Sequence, residues 1–100
     1  MGLVGRRLRE ARKEAALSQE KLGVLAGIDE MSASARMNQY ERGKHVPDFG
    51  TISRIAEVLD VPPSFFYAVT DDEALLLVKY HRLTRTMQAE VLVFISELGR

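Results

Sequence analysis

An all-helical protein is what this sequence predicts, and three observations predict it. Apolar residues recur three and four positions apart through most of the 100-residue chain, the spacing of one helix face. Most of these stretches follow a Ser, Thr or Asp, the side chains that cap helix N-termini. No run alternates apolar and polar residues between turn signals, so neither strands nor hairpins are expected. The expected architecture is five helices within residues 1–69, followed by a helical hairpin over 70–100.

The first helix, residues 3–16, gathers Leu3, Val4, Leu8, Ala11 and Ala15 on one stripe, with Arg12 at its edge. Leu17 closes it. Ser18 caps a second helix over 19–26, and Glu20 in its first turn complements the helix dipole. Gly23 in the middle costs about 1 kcal/mol relative to alanine, so close approach by another helix is expected there. Gly27 stops the helix, and Ile28 anchors the turn in the core.

Asp29–Ser32 reads as a loop ending in a Ser32 cap, with a third helix over 33–42. In that register Ala33, Met37 and Tyr40 face inward and Ala35, Asn38, Gln39 and Arg42 face outward, with Ser34 and Arg36 on the flanks. Gly43 ends the helix, and a short basic loop, 44–47, follows. Asp48 caps a fourth helix reaching Leu59, whose expected core face is Phe49, Ile52, Ile55, Ala56 and Leu59; Asp60 tolerates the left-handed conformation at its end. After Pro62-Pro63, residues 64–68 make one or two turns with Phe65 and Phe66 inward. Thr70-Asp71-Asp72-Glu73 is a capping-box pattern opening a helix over 71–82, and Thr84 caps a last helix over 85–98.

Composition bounds the function. An apolar content of 46% in 100 residues supports one core. The absence of cysteine excludes disulfides and thiolate metal sites and fits a reducing cytoplasm. The aliphatic-rich runs 74–78 and 91–95, five residues each, are far shorter than the roughly 20 residues of a membrane span, and the N-terminus lacks an apolar signal core. A soluble, cytoplasmic chain that does not engage membranes is therefore expected. His45 and His81 lack metal-ligand spacing. Glu10 with Glu14, and the Asp71–Glu73 trio, come with no nucleophile or phosphate loop. Neither a metal, nor a cofactor, nor an enzyme is expected. The net charge of zero hides an asymmetry: residues 1–54 carry ten Lys and Arg against seven Asp and Glu, and residues 55–100 carry four against seven. The first half therefore holds the surplus that would attract a polyanion.

Three stretches, SQEKLGVLAGI at 18–28, RMNQYERGKHVP at 36–47 and ISRIAEVLDVP at 52–62, resemble the Cro/XRE, or phage-repressor-like, helix-turn-helix family. The resemblance covers about residues 3–68. It implies a five-helix DNA-binding domain whose third helix enters the major groove of double-stranded DNA. It implies base reading by Ser34, Ala35, Arg36, Asn38 and Gln39: Asn and Gln can pair with adenine, Arg with guanine, and Ala35 can touch a thymine methyl. Phosphate contacts are implied at Gln19, where a helix N-terminus favours an anion, and at Arg42 and Lys44. Arg12 and Glu41 resemble the family's structural ion pair. Relative to the usual pattern four residues are inserted within Asp29–Ser34, so a lengthened turn is expected there.

The resemblance stops before the hairpin. Leu76, Tyr80, Val91, Phe94, Ile95 and Leu98, with Leu75, Leu77, Leu92 and Val93 beside them, exceed what one narrow stripe requires. Homodimerisation through these helices is expected, giving half-sites about one DNA turn apart; the alternative is a hairpin folded onto its own chain. The expected function is a sequence-specific DNA-binding transcriptional regulator, a repressor acting as a dimer. The rival is a protein-interaction module or antitoxin whose C-terminal helices bind a partner protein.

Overall fold

Capping side chains set most of the helix starts. In the computed structural model, which describes residues 2–100, Ser18 Oγ accepts from the Lys21 N–H at 3.0 Å and Asp48 Oδ1 from the Thr51 N–H at 2.8 Å. Thr70 Oγ1 accepts from the Glu73 N–H at 3.1 Å, and Thr84 Oγ1 from the Met87 N–H at 3.2 Å. These four caps open α2 (Gln19–Leu25), α4 (Phe49–Leu59), α5 (Asp71–His81) and α6 (Arg85–Leu98). With α1 (Leu3–Glu14), α3 (Glu30–Arg42) and a 3₁₀ helix at Pro63–Tyr67, they account for all regular structure among the described residues. Met1, the first residue of the expected 1–69 segment, lies outside them.

The core lies where α1 to α4 and the 3₁₀ helix converge. Leu8, Leu22, Met37, Ile52, Ile55 and Phe66 are fully buried in it. The Phe65 and Phe66 rings meet edge to face, with centroids 5.3 Å apart.

Three expectations are corrected. First, α3 begins at Glu30, not at residue 33, and its cap is Asp29, whose carboxylate accepts from the Met31 N–H at 3.1 Å. Only Ala26–Asp29 separate α2 from α3, so the four inserted residues lengthen the helix and leave the turn short. Second, Phe49 is 70% exposed. Ile52, Ile55, Ala56 and Leu59 form the buried stripe, and the helical register carries position 49 to its edge, in the first turn. Third, α1 stops at Glu14, and Ala16 takes a left-handed φ of 58° that turns the chain toward Leu17.

Arg7 joins the first helix to the hairpin. Its side chain is 2% exposed. Nε and Nη2 donate to the Ala68 carbonyl at 3.1 and 3.0 Å, and Nη1 donates to Asp71 Oδ1 at 2.8 Å. That hydrogen bond, reinforced by the charge of Arg7, holds the Asp71 carboxyl below its usual value of 3.8. Ala74 completes the docking of α5 by burial. The last helix is different. It lies against α5, with Gln88 Nε2 donating to the Tyr80 carbonyl at 2.9 Å, but no residue of α6 is buried. The molecule is correspondingly elongated, 51 by 25 by 23 Å.

Candidate nucleic-acid interface

Close packing at two glycines fixes α3 against its neighbours. A Cβ on Gly23 would come within 2.8 Å of Ala33 Cβ, so the absent side chain lets α2 and α3 meet as the sequence led us to expect. A Cβ on Gly5 would overlap the Glu41 carbonyl oxygen, so α1 approaches the end of α3 the same way. Overlap of this kind in a packed interior costs about 1–3 kcal/mol.

With Ala33, Met37, Tyr40 and Glu41 buried, the register turns Met31, Ala35, Gln39 and Arg42 outward. Ser34, Ala35, Arg36 and Arg42 are exposed, and Asn38 and Gln39 are half-buried at the edges. Met31, in the added turn, is 92% exposed. Sequence reasoning placed it in a loop and so left it off this face. The signal was present, since positions 31, 35 and 42 continue one line once the helix starts at Glu30. Lys44 is exposed just past Gly43, which ends α3 with φ 78°.

Arg36 does not project freely from its flank. Its guanidinium carbon sits 5.9 Å from the centre of the Tyr40 ring, and Nη2 donates to Tyr40 Oη at 3.0 Å. Asp48 lies within reach of this charge. Its carboxyl is held below 3.8 chiefly by hydrogen bonds from Thr51, with Arg54 and Arg36 adding to the effect.

On the opposite flank a chain of side chains links three helices. Arg12 Nε donates to Glu41 Oε2 at 2.6 Å and Nη2 to Glu41 Oε1 at 3.1 Å, a two-pronged pair. Arg12 Nη1 also donates to the Leu17 carbonyl at 2.9 Å. Glu41 is 3% exposed, and its Oε1 accepts a further hydrogen bond from Gln19 Nε2 at 3.2 Å. The same Gln19 nitrogen donates to Asn38 Oδ1 at 3.3 Å. Gln19, Asn38, Glu41 and Arg12 thus form one connected cluster. Ser34, Ala35 and Arg42 stand clear of it on the exposed part of α3, and half-buried Gln39 takes no part in it.

The hairpin carries a second uncovered surface. Phe94 and Leu98 are 64% and 69% exposed, Leu76 and Ile95 are also exposed, and Tyr80 and Val91 are half-buried. Among the described residues no three His, Cys, Asp or Glu side chains gather as a metal site, and no helix is long and apolar enough to cross a membrane.

Residues 3–64 match a family model described as a helix-turn-helix domain. An uncharacterised HTH-type transcriptional regulator of Sinorhizobium fredii is 31% identical over 70 residues, which are 70% of this chain and 46% of that one. One from Sinorhizobium medicae is 36% identical over 64 residues, 64% of this chain and 43% of that one. The chain therefore spans less than half the length of the curated relatives it matches. The crystal structure of the transcriptional regulator BswR is similar over 93% of this chain and 92% of that one, with a TM-score of 0.85 and 46% identity.

Proposed function

The chain belongs to the helix-turn-helix family, and we propose that it is a sequence-specific, double-stranded DNA-binding regulator of transcription that docks α3 in the major groove. The observation that carries this reading is the outward line on α3, where Ala35, Gln39 and Arg42 lie on a helix anchored by α1 and α2. The groove is about 12 Å wide and admits one helix, and thirteen residues make a rod about 20 Å long. Ser34, Ala35, Arg36, Asn38 and Gln39 contribute the base-reading side chains, and Met31 adds an apolar tip suited to a thymine methyl. Arg42, Lys44 and the main-chain N–H of Gln19 hold phosphates and set register.

Repression then follows from occupancy: a bound domain excludes polymerase without any cofactor, and the chain acts in the cytoplasm on promoter DNA. The uncovered α6 supports action as a homodimer. A solitary helix of about 14 residues is marginal in water, and this one has no buried residue of its own. A second copy laid on Val91, Phe94, Ile95 and Leu98 would bury that face and pair two α3 helices on half-sites about one DNA turn apart. The same face favours a second reading, in which a different protein covers α6 and the chain is an interaction module or antitoxin. Division into a DNA-binding part, 1–69, and an association part, 70–100, fits both.

Selection of bound sequences from a random DNA pool tests the proposal, with the mass of the free chain measured alongside. A recurrent palindromic site and a mass of two chains are expected. Recovery of unselected sequence would overturn the DNA-reading proposal, and a mass of one chain would favour the partner-protein reading of α6.

A further inference from the structure

Beneath the outward face of α3 runs a chain of hydrogen bonds whose polarity is imposed from one end. A guanidinium can only donate and a carboxylate can only accept. Arg12 therefore fixes Glu41 as the acceptor of the cluster. Glu41 Oε1 in turn requires that Gln19 present its NH₂ group rather than its carbonyl. The second hydrogen of that NH₂ reaches Asn38, which must then offer Oδ1. Both hydrogens of the Gln19 amide are spent, and what remains on its side chain is Oε1, an acceptor that a phosphate repels. Asn38 keeps its Nδ2, which donates to no group among the described residues.

We propose that the side chain of Gln19 is a positioning residue, which acts on DNA through Asn38 by fixing its amide with the Nδ2–H donors turned toward the groove. The proposal rests on the docking of α3 described above. The side chain of Gln19, committed to Glu41 and Asn38, sets a neighbour's orientation and makes no contact with DNA of its own. Asn38 then meets DNA donor-first. Its partners are acceptors, namely purine N7, guanine O6 or thymine O4, and the cytosine edge, whose major-groove group is the N4 amino donor, is disfavoured.

A double-substitution cycle on the operator recovered from the random pool tests this. Gln19→Ala, Asn38→Ala and the double variant are titrated at one salt concentration on operator and on random DNA, with thermal melting followed by circular dichroism. Each single substitution is expected to weaken operator binding roughly five- to tenfold, the scale of one hydrogen bond, and to leave random DNA unaffected. The double variant is expected to lose no more than Asn38→Ala alone. Gln19→Met, which keeps the packing of the stem and removes only the amide, replaces Gln19→Ala if that variant melts early. Losses that multiply in the double variant would show a separate contact by the Gln19 side chain and overturn the proposal. Equal losses on operator and random DNA would overturn it too. If the unaltered chain shows no selectivity, the docking of α3 fails and this inference with it; selectivity with multiplied losses removes this inference alone.

Discussion

The last helix is more apolar in sequence than the first two-thirds of the chain, yet the latter is closed around a core and the helix is not. Phe66 is fully buried among residues from distant parts of the chain, whereas Phe94 in α6 is mostly exposed. Apolar content alone therefore does not say where a core lies. In the body, glycines at 5 and 23 let helices approach, and Arg7 and Arg12 tie the helix ends together. In the hairpin, α5 docks through Ala74, and α6 is left with one exposed apolar face.

Replacing the same residue type in both regions gives the largest contrast. Phe66→Ala should cost about 3–5 kcal/mol in denaturant unfolding, the usual price of emptying an aromatic site in a core. Phe94→Ala, measured at a concentration where the chain is monomeric, should change stability by less than about 0.5 kcal/mol. A similar loss at both positions would mean that α6 is packed in the monomer.

The junction between the regions comes next. Arg7→Met keeps the stem in its buried channel but strands the Ala68 carbonyl, at a cost of about 1–3 kcal/mol. Unfolding curves should show that loss, and protection of α5 amides from hydrogen exchange should fall with it. Asp71 contributes through pH. Its carboxyl is held below 3.8 in the folded chain, so its contribution is fully present above the unfolded value and disappears as pH falls through the folded one. Stability measured downward from pH 5 should therefore fall less steeply in Asp71→Asn than in the unaltered chain. Asp48, also held low, keeps part of the acid sensitivity in both.

The smallest effect on stability belongs to Phe94→Ser with Leu98→Ser. Monomer stability should barely move, while the mass in solution should drop from two chains to one by sedimentation equilibrium. A mass unchanged by these substitutions would move the dimer contact elsewhere.

What could be read in the sequence was mostly local. Ser18, Asp48, Thr70 and Thr84 cap helices where they were expected, and Asp60 takes the left-handed turn, because each device works within three or four residues. The start of α3 was misread for a physical reason. Glu30, Met31 and Ser32 are all exposed, so the added turn extends the outward line through Met31 but adds no residue to the buried stripe by which a helix start is recognised. Phe49 misled in the opposite sense, an aromatic residue at the edge of a stripe that three aliphatic residues and an alanine already fill. Arg7 was not legible at all. Its spacing from Leu3, Val4 and Ala11 sets it on their stripe, unlike Arg6 and Arg9, but its partners are 61 and 64 residues away and only the fold brings them to it. In the candidate interface, the exposure of Ala35 and Arg42 followed from periodicity and the Arg12–Glu41 pair from the family resemblance, whereas its extension through Gln19 to a half-buried Asn38 joins separate helices and needed the fold.

The proposed division of roles, with sequence read by α3 and the DNA backbone held by the loop after it, can be separated in one titration. Gln39→Ala and Lys44→Ala are compared on operator and on random DNA over a range of salt concentrations. Gln39→Ala should lose discrimination between the two DNAs and keep its salt dependence. Lys44→Ala should weaken both alike and flatten the salt dependence by about one counterion. Equal losses of operator and random binding from both substitutions would contradict the account.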